Sequence, residues 1–168
     1  MATVHQPAAA KRGRAALPAL ILLAGLLAGL LSGGPLHAAG SEPTASDPPW
    51  LVEARKELVA KRFDAAISVL KAANAGKSAE WNNLMGYALR SRTPPDLEAA
   101  EGHYKRALEI EPRHRSALEY YGELMLMKKD LSGALALQAR LEKACLFGCE
   151  ELRDLREAIA RYKAAGGK

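Results

Sequence analysis

The chain lacks nearly every residue pattern that announces catalysis. Its glycines stand singly along the middle of the sequence or near the ends, so no glycine-rich loop is present to wrap a phosphate. There is no H-E-x-x-H pair for zinc and no G-x-S-x-G elbow for a nucleophilic serine. Asp and Glu are scattered along polar stretches instead of being set in facing pairs. The sequence therefore reads as non-enzymatic, with no cofactor and no resident metal. Aromatic residues make up only 5% of the chain, and no run alternates Val, Ile or Thr with polar residues, which excludes a β-sheet core. What is abundant is alanine, leucine and charge, the composition of helices.

Nor is there the charge excess of a nucleic-acid binder. Lys and Arg number 24 against 19 Asp and Glu, for a formal charge of +5. Three of those cations, Lys11, Arg12 and Arg14, lie close to the N-terminus. Without them 21 basic residues face 19 acidic ones, a net of +2. A nucleic-acid surface needs basic residues gathered on one face, so nucleic acid is not an expected partner.

Residues 1–39 follow the order of a secretory leader. Basic residues come first, then an apolar run from Ala15 to Leu31, the breakers Ser32 to Pro35, and Ala38 and Ala39. Cleavage after Ala38 or Ala39 would export the rest, to the periplasm if the cell is bacterial. The alternative is an uncleaved N-terminal helix anchored in the inner membrane, because an apolar run of this length approaches the lower limit for a span. Contact with a membrane is expected only through this leader. Residues 40–49, with Pro43, Pro48 and Pro49, read as a linker with too little apolar surface for a core.

From Phe63 onward the chain repeats itself. Ala66, Ala100 and Ala134 are evenly spaced, and Phe63, Leu97 and Leu131 keep step just upstream. Two further columns are Leu70, Tyr104, Gln138 and Ala73, Ala107, Leu141. A self-similarity with a period of about 34 residues is the mark of a helix–turn–helix solenoid. Small residues suit the crossings, because the separation of two packed helices is set by the side chains between them. Gly122 on one helix and Ala134 on the next are expected to let their backbones close. Gly86 stands two positions farther from Ala100 than Gly122 does from Ala134. The difference predicts a two-residue insertion in the turn Arg92-Thr93-Pro94-Pro95. Asp96 and Asp130 are expected to cap the helices that follow them.

The second unit, with Ala100, Tyr104, Ala107 and Pro112 after Gly86, resembles the tetratricopeptide (TPR) repeat. The resemblance covers roughly residues 49–145. It implies an all-α solenoid of about three repeats, with units near 50–76, 79–112 and 115–144 in a domain over 50–164. A helix over 150–164 would cap it, placing Leu152, Leu155, Ile159 and Tyr162 inward and a polar face outward, as a terminal element must. Residues 165–168 are expected to be a frayed tail.

Stacked helix pairs curve and leave a concave face. In TPR proteins the first helix of each unit lines it. Counted from Gly86 and Gly122, the groove positions are Asn83, Tyr87 and Arg90 in the second unit and Glu119, Glu123 and Leu126 in the third. The resemblance thus implies a protein or peptide partner. The mixed signs of Arg90, Glu119 and Glu123 argue against an acidic C-terminal peptide.

The two cysteines, Cys145 and Cys149, meet in Cys-Leu-Phe-Gly-Cys at the joint between the third repeat and the capping helix. Export makes a structural disulfide the leading expectation. A redox pair or a metal-handling site at these cysteines is the competing reading of function. The stretch Leu141 to Cys149 followed by Glu150-Glu151 resembles small exported bacterial TPR proteins, in keeping with a structural role. Self-assembly, with another copy's linker or tail in the groove, is a third reading.

Overall fold

A computed structural model of the chain describes residues 47–168. The leader and the linker residues up to 46 lie outside the described residues. Seven helices follow: α1 (Pro49–Val59), α2 (Phe63–Ala73), α3 (Ala79–Ser91), α4 (Leu97–Ile110), α5 (Arg115–Met127), α6 (Leu131–Ala144) and α7 (Glu150–Ala164). Among the described residues there is no strand, and no helix is long and apolar enough to cross a membrane.

The helix starts follow local chemistry. Pro49 opens α1 one residue ahead of Trp50, where a missing N–H costs nothing. The Ser78 hydroxyl accepts from Trp81 N, and the carboxylates of Asp96 and Asp130 accept from Ala99 N and Gly133 N. His114 caps α5 with a ring nitrogen, Nδ1, which accepts from Ala117 N at 3.2 Å.

The turns inside the pairs share one closure. Lys61 and Lys129, two repeat periods apart, both take left-handed backbone angles just past a helix end. Around them Arg62 N donates to Glu57 O and Asp130 N to Met125 O. This is the six-to-one hydrogen bond of the Schellman motif. Between α3 and α4 the corresponding bond runs from Asp96 N to Leu89 O, a span longer by two positions. The two extra residues therefore sit in the Arg92–Pro95 turn. The C-terminus closes the same way. Gly166 has φ +84°, and Gly167 N donates to Tyr162 O at 3.0 Å. The tail read as frayed is thus a formed cap as far as Gly167.

Each helix packs on the next. The odd helices also touch one another in series, α1 on α3, α3 on α5 and α5 on α7, whereas the even helices do not. Closer spacing along the odd row makes it the inner side of a curve, with α2, α4 and α6 outside. The arrangement is that of an all-α solenoid of consecutive helix pairs.

The core runs between the rows. Ala66, Ala100, Ala107 and Ala134 are fully buried, as is Tyr104. A Cβ on Gly86 would fall 2.8 Å from the Tyr104 ring, so the glycine admits it. Gly122 differs from expectation. The side chain that occupies the space above it is Leu155 of α7, 2.6 Å from a Cβ placed there. The third unit has Gln138 where the second has Tyr104, and α7 supplies the missing bulk. Two apolar helix residues stay exposed: Val59 is 85% exposed and Leu135 is 38% exposed.

Candidate functional site

On the inner side of the curve lies an open cavity of about 400 Å³. Three odd helices build it. Arg55, Leu58 and Val59 come from α1, Glu80, Asn83, Leu84 and Tyr87 from α3, and Ser116 and Tyr120 from α5. The apolar part is Leu58, Val59, Leu84 and the two tyrosine rings, whose centroids are 5.0 Å apart. Phe63 backs Tyr87 edge-on at 6.2 Å.

The polar part is a fixed network. Glu80 Oε1 accepts from Arg55 Nη2 at 2.8 Å, and Arg55 Nη1 also reaches Asp47 at 2.7 Å. Glu80 Oε2 faces His114 Nε2 at 3.2 Å and accepts from Asn83 Nδ2 at 3.2 Å. His114 Nδ1 accepts a backbone N–H, so its proton belongs on Nε2, which donates to Glu80. Burial alone would raise the Glu80 pKa. Hydrogen bonds from His114, Arg55 and Asn83 outweigh it and hold the carboxyl at about 2.

An ionised Glu80 can only accept, which fixes the orientation of the Asn83 amide. Its nitrogen is committed to Glu80, and its oxygen, Oδ1, is buried with no partner among the described residues. Asn83 is 2% exposed. A buried acceptor without a donor carries a desolvation penalty of about 1–3 kcal/mol.

Arg90 stacks behind the tyrosines, its guanidinium carbon 5.5 Å from the Tyr87 ring centre and 5.6 Å from that of Tyr120. It donates to Glu123 Oε2 at 2.6 Å. Further along α5, Glu119 is buried, and among the described residues no hydrogen bond or ion pair reaches its carboxyl. Burial raises its pKa to about 8, helped by the charges of Glu123, Asp154 and Glu151, with Arg90 opposing.

No protein-family model matches the chain. A stretch of 56 residues is 41% identical to part of a probable biofilm formation methyltransferase, WspC, from Pseudomonas putida. That stretch is 33% of this chain and 13% of the relative. The chain thus spans a small fraction of the protein it is similar to, and the likeness is local.

The six residues assigned to the groove divide by depth. Asn83 and Tyr87 line the cavity. Arg90 and Leu126 are buried, so Arg90 supports the tyrosines from behind and Leu126 belongs to the core. Glu123 is half-buried and anchors Arg90. Glu119 sits beside the cavity-lining Ser116 and Tyr120, on one face of α5. Sequence reasoning missed Arg55, Leu58, Val59, Glu80, Leu84, Ser116 and Tyr120 as lining residues. The signal for Tyr120 was available, since moving along from Leu84 by the spacing that separates Gly86 from Gly122 lands on it.

The cysteines lie away from this cavity. Cys145 and Cys149 are at bonding distance, with sulfurs 2.07 Å apart and Cα atoms 5.7 Å apart. Glu151 lies near enough to join them as a third metal-ligand candidate. Sulfurs bonded to each other are not the thiolates that metal ligation requires.

Proposed function

We propose that the chain is a non-enzymatic interaction module of the tetratricopeptide type, holding a peptide or an extended segment of a partner protein in the cavity between α1, α3 and α5. The observation that carries this reading is the Asn83 amide oxygen, buried and, among the described residues, unpartnered in the wall of an open, partly apolar cavity. A peptide offers both complements, a backbone N–H for the oxygen and side chains for Leu58, Leu84 and the tyrosines. The evenly spaced columns support the family, and the absence of catalytic patterns supports the lack of enzymatic chemistry. The leader-like order of residues 1–39 supports export, which N-terminal sequencing of the mature protein would test.

The test is co-purification from the native host of wild-type protein and a Ser116→Trp variant. An indole at position 116 fills the cavity from α5. Arg90 is left untouched because its ion pair is structural. Partners recovered with wild type and lost with a normally folded variant support the proposal. Equal recovery from both would overturn it.

A further inference from the structure

Among the described residues, the inner face is short of cations. Arg55 is shared by Glu80 and Asp47 and Arg153 by Asp154 and Glu150, whereas Glu123 pairs with Arg90 at 2.6 Å and Glu151 with Arg115 at 3.6 Å. Glu119, 7% exposed, has no ion pair among them. It occupies the place in α5 that Asn83 occupies in α3, as Gly122 does that of Gly86. Two neighbouring units therefore each hold an acceptor side chain without a donor at the same position, fully enclosed at Asn83 Oδ1 and in a mostly buried residue at Glu119. Burying such groups is unfavourable unless something pairs them, and here they flank a partly apolar cavity.

Resting on the function proposed above, we propose that the segment bound is basic: an apolar side chain enters the cavity between Leu84, Tyr87 and Tyr120, and a lysine or arginine beside it supplies the missing counter-ion to Glu119. The Asn83 oxygen accepts a backbone N–H of the same segment. Arg90 is already engaged, its Nη1 donating to Glu123 and to the Tyr120 carbonyl at 3.4 Å. An acidic segment would set like charge against Glu119, Glu123, Glu151 and Asp154, and like-charge juxtaposition is how interfaces reject wrong partners.

The groups facing Glu119 are Glu123 on its own helix, Glu151 and Asp154 on α7 and Arg90 on α3. Three of the four repel its charge, which favours the protonated carboxyl until a cation arrives or the pH passes about 8. The basic preference should accordingly strengthen as pH rises from 6 to 9.

A phage-displayed random dodecapeptide library, selected against wild type and against Glu119→Gln, tests this. The glutamine keeps the shape and removes the charge. Wild type should enrich peptides with Lys or Arg next to an aromatic or aliphatic residue. The variant should enrich the apolar residue and leave basic residues at library frequency. For the best wild-type peptide, replacing its basic residue by norleucine should weaken binding about tenfold or more, as truncating a buried charge pair does. The same change should barely alter binding to the variant. Peptides without a basic preference, a preference that survives in Glu119→Gln, or one that stays constant from pH 6 to 9 would overturn the inference and leave the peptide reading standing. No enrichment with either protein would sink both. Thermal melts of both proteins show that each is folded.

Discussion

The ring of Tyr104 lies where a side chain on Gly86 would have to be, 2.8 Å from the nearest ring carbon. Tyr104 is fully buried and cannot swing aside. Gly86→Ala gains helix propensity of up to about 1 kcal/mol but overpacks the crossing at about 1–3 kcal/mol. The variant should be less stable in urea. Gly102, in the middle of α4, has nothing within 4 Å of a Cβ. Gly102→Ala should therefore stabilise, by about 0.5–1 kcal/mol. Equal and favourable effects at both glycines would show that the α3–α4 crossing is looser than described.

The Tyr104 hydroxyl is buried without a hydrogen bond among the described residues. Deleting a polar atom that has no partner removes a desolvation cost and no interaction. Tyr104→Phe should hold stability or raise it by up to about 1 kcal/mol. A clear loss in urea denaturation would mean that the hydroxyl has a partner, such as a bound water.

Glu119 and Glu80 give the fold opposite responses to pH. The Glu119 pKa is raised on folding, so the folded state binds the extra proton. Its contribution is favourable at low pH and is lost as pH climbs from the ordinary carboxylate range through about 8. Glu80 is held at about 2. Its contribution is present above the ordinary range and disappears as pH falls toward 2. Denaturation midpoints should decline in wild type as pH rises from the ordinary carboxylate range to about 8, and this decline should be missing in Glu119→Gln, with the loss toward pH 2 unchanged. No decline over that range in wild type would show that Glu119 is already ionised.

Cys145 closes α6 and Cys149 precedes α7, so their bond ties the last pair to the capping helix. Thiol titration of unreduced protein from its native compartment should find no free sulfhydryl. Replacing both by serine should cost about 2 kcal/mol on the chain-entropy estimate for so short a loop, with hydrogen exchange rising in α7 first. Free thiols in the native protein would revive the redox reading.

Much of the helical layout was legible because it is written locally. The alanine columns set the period, Asp96 and Asp130 declare helix starts, and the proline turn announces its own two-residue surplus. The site was legible only in part. Spacing from Gly86 puts Asn83, Tyr87 and Arg90 on one face, but it does not give depth. Depth comes from neighbouring helices. Tyr120 and Glu123 of α5 close over Arg90, and α1, whose repeat signature is weak, brings in Arg55 and Leu58, which went unnoticed. The same gap explains Gly122: its occupant, Leu155, arrives from outside the repeats, and no count along the period would find it.

The turn at Arg92–Pro95 closes with the same backbone bond as its shorter counterpart while holding two more residues. A hinge that tolerates surplus length in this way is the natural place to splice foreign sequence, since lengthening a surface loop adds only about 0.6 kcal/mol per doubling. An epitope or fluorophore acceptor grafted there would sit at the far end of α3 from its Ser78 start, leaving the inner face free to report on whatever it holds.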